Sequence, residues 1–354
     1  MENNFKITLP MLDAPYGVSG EEDAPAKAMR EAMGGLYDEY FEDALGNQFF
    51  VRKGKPGGKK IVLCGHLDEV GFIIYNILPN GYVKILPVGY HDDRVVINQR
   101  LAIMGDKGIV SGVTGSIPIH VLDHSAEAKP TKIQDLLVDV GTSSAEETRA
   151  LGVEIGNYVA FEARGEFLNG GKYYSGKSVD DRSGCAVIVE TFRALKDMDV
   201  DATVYGVGTV QEEVGMRGGG VVAHRTEPDL LLAIDVTLTN DFPGMEEMNP
   251  VGMGKGPAIK YYDWDGELGM TGNNTPKKLT KFFVETAVAN NIPFQREVMM
   301  GGGTDAWSGS LAGNGCLAGG ISIPSRYMHT AVGTVHLDDL VNVTKLVLAV
   351  IEKF

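Results

Sequence analysis

Five carboxylates and two histidines stand in five short stretches of this chain, and most of those stretches follow an apolar run. The stretches are GHLDEVG (65–71), SVDDRSG (178–184), TVQEEVGMRG (209–218), AIDV (233–236) and RYMHT (326–330). The side chains at issue are His66, Asp68, Asp180, Glu212, Glu213, Asp235 and His329. Imidazole mixed with carboxylate suits Zn, Co or Mn, whereas Ca prefers oxygen alone. Each piece also has a plain structural reading. An Asp-Asp pair before a helix can cap it, adjacent glutamates can be a solvated face, and a single histidine can be a satisfied core residue. Taken together, and placed after apolar runs, the seven imply a site for two divalent cations and hence a metal-dependent hydrolase.

Such a site needs elements that bring distant residues together. In open α/β sheets, ligands gather at the carboxyl ends of strands. KIVLC (60–64) reads as a buried strand ending just before His66, ATVYGVGTV (202–210) as one ending before Glu212, and LLLAI (230–234) as one ending at Asp235. GISI (320–323) precedes His329, and a helix is predicted from about Ser183 to Lys196, just after Asp180. Further helices are predicted over 20–35, 217–226, 277–291 and 336–354, with strands in 36–53 around a DALGN turn. Between 72 and 163 the pattern changes to short β segments: FIIYNI, YVKILPV, RVVIN, LAIMG, GIVSGV and YVAFEA, separated by PNG, GDKG and SIP turns. The expected fold is α/β. A catalytic domain built from residues 1–69 and 164–354 is interrupted by a β-barrel-like domain at 70–163.

The bulk properties agree with a catalyst of this kind. The chain has 354 residues, 44% of them hydrophobic, which is ample for a core. A net charge of −15 argues against nucleic acid and anionic membrane as partners. Cys64, Cys185 and Cys316 are odd in number and form no CxxC pair, so a reducing cytoplasm is expected. No signal peptide and no run of membrane-spanning length is read.

GHLDEVG, GKSVDDRSG, TVQEEVGMRG, AIDV, GGGTDA (301–306) and RYMHT together resemble the motifs of the metallo-aminopeptidases that assemble as hollow tetrahedral dodecamers. That family includes glutamyl, leucyl, lysyl and deblocking aminopeptidases, and some members carry an endoglucanase label. The similarity runs through nearly the whole chain. It implies a mixed-sheet, zinc-peptidase-like catalytic domain, an inserted domain used for dimerisation or oligomerisation, and two divalent ions per subunit. It implies that Asp180 bridges the two ions, that His66 and Asp235 complete one shell, and that Glu213 and His329 complete the other. Glu212 would be the general base acting on a metal-bridging water, and Asp68 would support the His66 imidazole. Thr304 and Asp305 would line the substrate site, although a Gly-rich turn with a capping residue is an equally good reading. Peptides with a free N-terminus would be the substrates, and a homo-oligomer, plausibly twelve subunits built from dimers, the assembly.

Two segments depart from the family pattern: His329-Thr330-Ala331-Val332-Gly333 lacks the usual following glutamate, and GYHDDRVVINQR (89–100) has an uncommon acidic-histidine start. His91, His120, His124, His224 and His336 have no ligand-like spacing. The competing readings are a glycoside hydrolase of endoglucanase type, which needs paired acids but no imidazole, and a non-catalytic peptide-binding homologue.

Overall fold

The computed structural model of the chain describes residues 1–121, 130–246, 250–264 and 272–354. In chain order it begins with helices α1 (Glu2–Asp13) and α2 (Asp23–Met33) and strands β1 (Glu39–Glu42), β2 (Gln48–Arg52) and β3 (Lys60–His66). Strands β4 (Gly71–Ile77), β5 (Val83–Val88), β6 (Arg100–Gly105), β7 (Gly108–Thr114) and β8 (Val138–Asp139), helix α3 (Ala145–Ala150) and strand β9 (Tyr158–Phe161) follow. Next come β10 (Glu166–Leu168), β11 (Tyr173–Gly176), α4 (Val179–Leu195), β12 (Thr203–Thr209), α5 (Arg217–Thr226), β13 (Leu230–Ala233), β14 (Val236–Leu238) and β15 (Ala258–Trp264). The chain closes with α6 (Lys277–Ala289), β16 (Gln295–Met300), α7 (Asp305–Leu311), β17 (Ala318–Arg326), β18 (Gly333–His336) and α8 (Leu337–Lys353).

The large sheet is mixed and runs β1-β2-β12-β3-β13-β17-β18-β11-β10, with β14, β15 and β16 joined to it beside β17. Its centre is parallel: β3 pairs in parallel with β12 and β13, and β13 with β17. Strand β3 explains why. Ile61 and Leu63 enter the main core, packed with residues of α1, α2, α4 and α8, while Val62 and Cys64 face the opposite side with Val222 and Ala223 of α5 and Ala306 of α7. A strand covered on both faces is apolar at every position, and such strands form parallel sheets. Asp68 and Glu212 therefore follow neighbouring strand ends, because His66 pairs level with Thr209.

The second core belongs to a closed antiparallel barrel, β4-β5-β8-β7-β6-β9, filled by Phe72, Ile74, Val83, Ile85, Leu101, Ile103, Val138, Val159 and Phe161. The α/β architecture with an inserted barrel-like domain agrees with the sequence expectation. One expected strand is absent: RVVIN is a short 3-10 turn at Asp93–Val95, because the Asp92 carboxylate accepts the Arg94 N–H and caps it. Among the described residues no helix is long and apolar enough to cross a membrane.

Helix α4 lies very close to the sheet centre, and Gly184 permits it. A Cβ there would stand 2.1 Å from the Ile234 carbonyl oxygen and 2.4 Å from the Asp181 carboxylate. Gly184→Ala should lower stability by about 1–3 kcal/mol, as overpacking does. The urea midpoint measures this, and an unchanged midpoint would contradict so close a contact.

Candidate metal centre

The parallel strands deliver His66 at the end of β3, Glu212 and Glu213 just past β12, and Asp235 in the two-residue step between β13 and β14. Asp180 sits at the start of α4, where it and Asp181 have non-helical backbone and share a cis peptide bond. His329 lies in the β17–β18 hairpin loop with a φ of 58°, the left-handed region that few non-glycine residues adopt. Met216, which lines the same cavity, and Gln211 and Tyr327, next in sequence to its lining residues Glu212 and Met328, share that conformation, and such backbone clusters at functional sites.

Asp180 occupies the middle. Its Oδ1 is 3.1 Å from His66 Nε2, and its Oδ2 is 3.3 Å from His329 Nε2. Asp235 Oδ1 is 3.9 Å from His66 Nε2 on one side, and Glu213 Oε2 is 3.4 Å from His329 Nε2 on the other. His66, Asp180 and Glu213 bring one ligand atom each within 4.8 Å of one another, and so do His66, Asp181 and Asp235. The residue set fits divalent cations on a further ground: Glu213 Oε1 is buried without a hydrogen-bond partner among the described residues. A buried acceptor left without a partner is costly, and a bound cation would satisfy it.

The tautomer of His66 is set locally. Its Nδ1 lies 3.0 Å from the Asp68 backbone carbonyl and 3.6 Å from the Asp68 carboxylate. Donation from Nδ1–H to that carbonyl leaves the Nε2 lone pair toward Asp180 and Asp235. The Asp68 carboxylate does something the sequence did not suggest. It accepts the Glu212 N–H at 3.1 Å, the Glu213 N–H at 3.0 Å and the Ser19 hydroxyl at 2.6 Å, tying the loop after β12 to the end of β3. Asp181 accepts the His66 N–H at 3.2 Å and the Gly184 N–H at 3.0 Å, and Arg182 donates to the carbonyls of Leu67 and Leu12.

Thr304 and Asp305 do not line the cavity. Both are buried, because Thr304 caps α7 by accepting the Ala306 N–H and Asp305 accepts from the Thr209 hydroxyl and the Gly219 N–H. The preceding glycines Gly301–Gly303 line it instead. The cavity, about 310 Å³, is bounded by His66, Asp180, Glu212, Glu213, Asp235 and His329 on one side. Residues to which the sequence reading gave no role form the rest, notably Tyr90, Met299, and Met216 and Met328 from within two of the quoted motifs. The only sequence signal for Tyr90 was its place in the divergent GYHDDR segment. Its neighbour His91 is not at the centre: it stacks on Phe72 and hydrogen-bonds the Gly71 carbonyl. His224 lies on α5 and His336 caps α8, His120 is exposed in a short 3-10 turn, and His124 lies outside the described residues.

The charges are crowded, and their protonation follows from it. Burial pushes the Asp235 carboxyl up to about 7 and the Glu213 carboxyl up to about 8, and drives Glu212 well above the ordinary range. For His329, burial works downward, but the Glu213 charge and the Asp180 hydrogen bond overcome it and raise the imidazole to about 9. Burial also opposes ionisation of Asp180, yet hydrogen bonds from His329 and His66 hold it below the usual carboxylate range. A cation must displace the protons these raised groups carry. After chelation, adding a divalent cation at pH 7 should release protons, and affinity should climb from pH 6 to 8 as Asp235 and Glu213 lose theirs. Calorimetry in buffers of different ionisation enthalpy measures the release, and proton uptake on binding would reject the ligand set.

Comparison with known proteins bears on this geometry. The family model described as M42 glutamyl aminopeptidase matches residues 46–346. A putative aminopeptidase of Acetivibrio thermocellus is 36% identical over 335 residues, covering 95% of this chain and 94% of that protein. The structure of aminopeptidase APDkam598 from Desulfurococcus kamchatkensis superposes with a TM-score of 0.92 at 35% identity, over 100% of this chain and 96% of that one. The Pyrococcus horikoshii TET1 peptidase, which can assemble into a tetrahedron or a large octahedral shell, superposes with a TM-score of 0.87 at 28% identity, over 99% of this chain and 100% of that one. On this sequence match and this shared fold, the chain belongs to the M42 aminopeptidase family and is a peptide hydrolase.

Proposed function

We propose that this chain is a dinuclear metal-dependent aminopeptidase that removes the first residue of peptides. The observation that carries the reading is the placement of Asp180, with one carboxylate oxygen facing His66 and the other facing His329. In this reading His66 and Asp235 would hold one divalent cation, Glu213 and His329 would hold the other, and Asp180, lying between the two imidazoles, would serve both. Zn, Co and Mn all suit these donors. The cations, when bound, would polarise the peptide carbonyl and bring the pKa of water toward neutrality.

The remaining work falls to the chain itself. Glu212 lines the cavity, and burial lifts its carboxyl above the ordinary range, as suits a base that takes a proton from water and returns it to the leaving amine. Asp68 holds the Glu212 backbone N–H and so fixes where that base stands. The carboxylates beside the cavity suit a protonated α-amino group, which would confine cleavage to the first residue. The two imidazoles at the centre disfavour the glycosidase alternative, whose chemistry needs acids alone.

Glu212→Gln should bind cations as the parent does and lose about 10²–10⁴-fold in turnover. Cation content by elemental analysis and release of a first-residue chromophore test this together, and full activity in the variant would remove Glu212 from the base role.

We further propose that the 70–163 module mediates assembly into a closed oligomer, plausibly of twelve subunits. Ile109, Val113, Leu86 and Leu137 on and beside the barrel strands, with Ile117 and Ile119 following β7, are exposed apolar side chains that an interface would cover. Light scattering with cation present should give a multiple of the 38.0 kDa subunit. A monomeric mass would reject the assembly.

A further inference from the structure

We propose that the first-residue side chain taken by this site is apolar, with leucine and methionine favoured over glutamate and lysine. The inference deepens the aminopeptidase reading and rests on it. Beside the acidic end, the cavity wall is built from Met216, Val236, Leu238, Met299, Met300 and Met328. Among the described residues no lysine or arginine lines it. Its volume, about 310 Å³, lies at the small end of ligand pockets and suits one side chain with its backbone rather than a long segment.

An acidic side chain lying against this wall, away from the cation end, would meet no counter-charge from it. Nearby cations are committed elsewhere. Lys260 Nζ is buried, 2.9 Å from Glu297 and 3.2 Å from Asp263. Arg217 donates to Gln211 Oε1 at 3.0 Å, and Arg326 Nε to Asp241 at 3.0 Å. A lysine ammonium reaching away from the cavity carboxylates would lose its hydration against thioether and aliphatic walls, and an unpaired buried charge is strongly disfavoured.

The glycine loop accounts for the methionine wall. A Cβ on Gly302 would stand 2.3 Å from the Met299 methyl, and one on Gly303 would stand 2.7 Å from Met216 Sδ. Missing side chains at 302 and 303 are what let both thioethers lie against the loop. Methionine is unbranched and polarisable, so such a wall adapts to branched and straight apolar guests alike.

The test uses the intact protein with its cation restored and the p-nitroanilides of leucine, methionine, glutamate and lysine. The kcat/KM for leucine and methionine should exceed that for glutamate and lysine by about tenfold or more. Met299→Lys, with unchanged cation content, should raise the glutamate-to-leucine ratio by about tenfold, while Met299→Leu should keep the parental order. Efficient turnover with glutamate or lysine ahead in the parent protein overturns this inference and leaves the aminopeptidase reading standing. No release of any first residue overturns both. If Met299→Lys does not fold, the parental ranking alone decides.

Discussion

Parallel pairing of β3 with β12 on one side and β13 on the other is the constraint from which the centre follows. It sets His66 level with Thr209 and Cys64 level with Ala233, so three chain segments leave the sheet at one edge. The pairing alone does not aim the side chains. Asp68 completes it by accepting two consecutive N–H groups, from Glu212 and Glu213, with one carboxylate. Hydrogen bonds to a charged acceptor are about twice as strong as neutral ones, and two to one carboxylate fix orientation as well as distance. Glu212 and Glu213, the proposed base and a proposed cation ligand, therefore inherit their backbone positions from a residue that is not among those lining the cavity.

Collecting so many acids in one buried place creates a problem of charge. Two nearby buried groups show how the surrounding fold handles its own. Glu69 meets Lys177 at 2.6 Å beneath the loop after β3, and Lys260 meets Glu297 and Asp263 beside β14. Each is a pair or triad with its charges answered inside the protein, as burial demands. The central acids differ. Asp180 faces two imidazoles, Glu213 stands 3.4 Å from one of them, and Asp235, whose Oδ1 accepts the Val236 N–H at 2.7 Å, stands 3.9 Å from the other. The scaffold sets each of those buried acids against a lysine, whereas the centre gathers its acids around two imidazoles with no lysine or arginine among the described lining residues, which is the arrangement expected where a cation belongs.

How much of this was legible in the sequence depended on burial and length. The central strands announced themselves because β3 and β13 are covered on both faces and read as unbroken apolar runs. The barrel was visible from spaced short β segments, but RVVIN was misread, since buried Val96 belongs to a capped turn whose cap lies outside the run. Helix α1 was passed over although Phe5, Leu9 and Leu12 are buried at helical spacing, because a polar start and Pro10 hide the pattern. The HxD spacing placed Asp68 beside His66 but could not show that the carbonyl, not the carboxylate, makes the closer contact. The resemblance drew Thr304 and Asp305 to the substrate site, while the other reading of GGGTDA, a Gly-rich turn with a capping residue, agrees with their place: Thr304 caps α7 and Asp305 accepts the Gly219 N–H. The methionine wall was not legible as a wall: Met216 and Met328 stand inside the TVQEEVGMRG and RYMHT motifs but carry no ligand chemistry, and Met299 and Met300 come from a third segment with no shared period.

Tyr90 reaches the cavity from the segment after β5, whereas His66, Asp180, Glu213, Asp235 and His329 all come from outside the barrel. One point of the cavity rim is thus inherited apart from the rest of its lining. A lineage can change that point through drift in the inserted module and leave untouched the residues proposed to hold the cations.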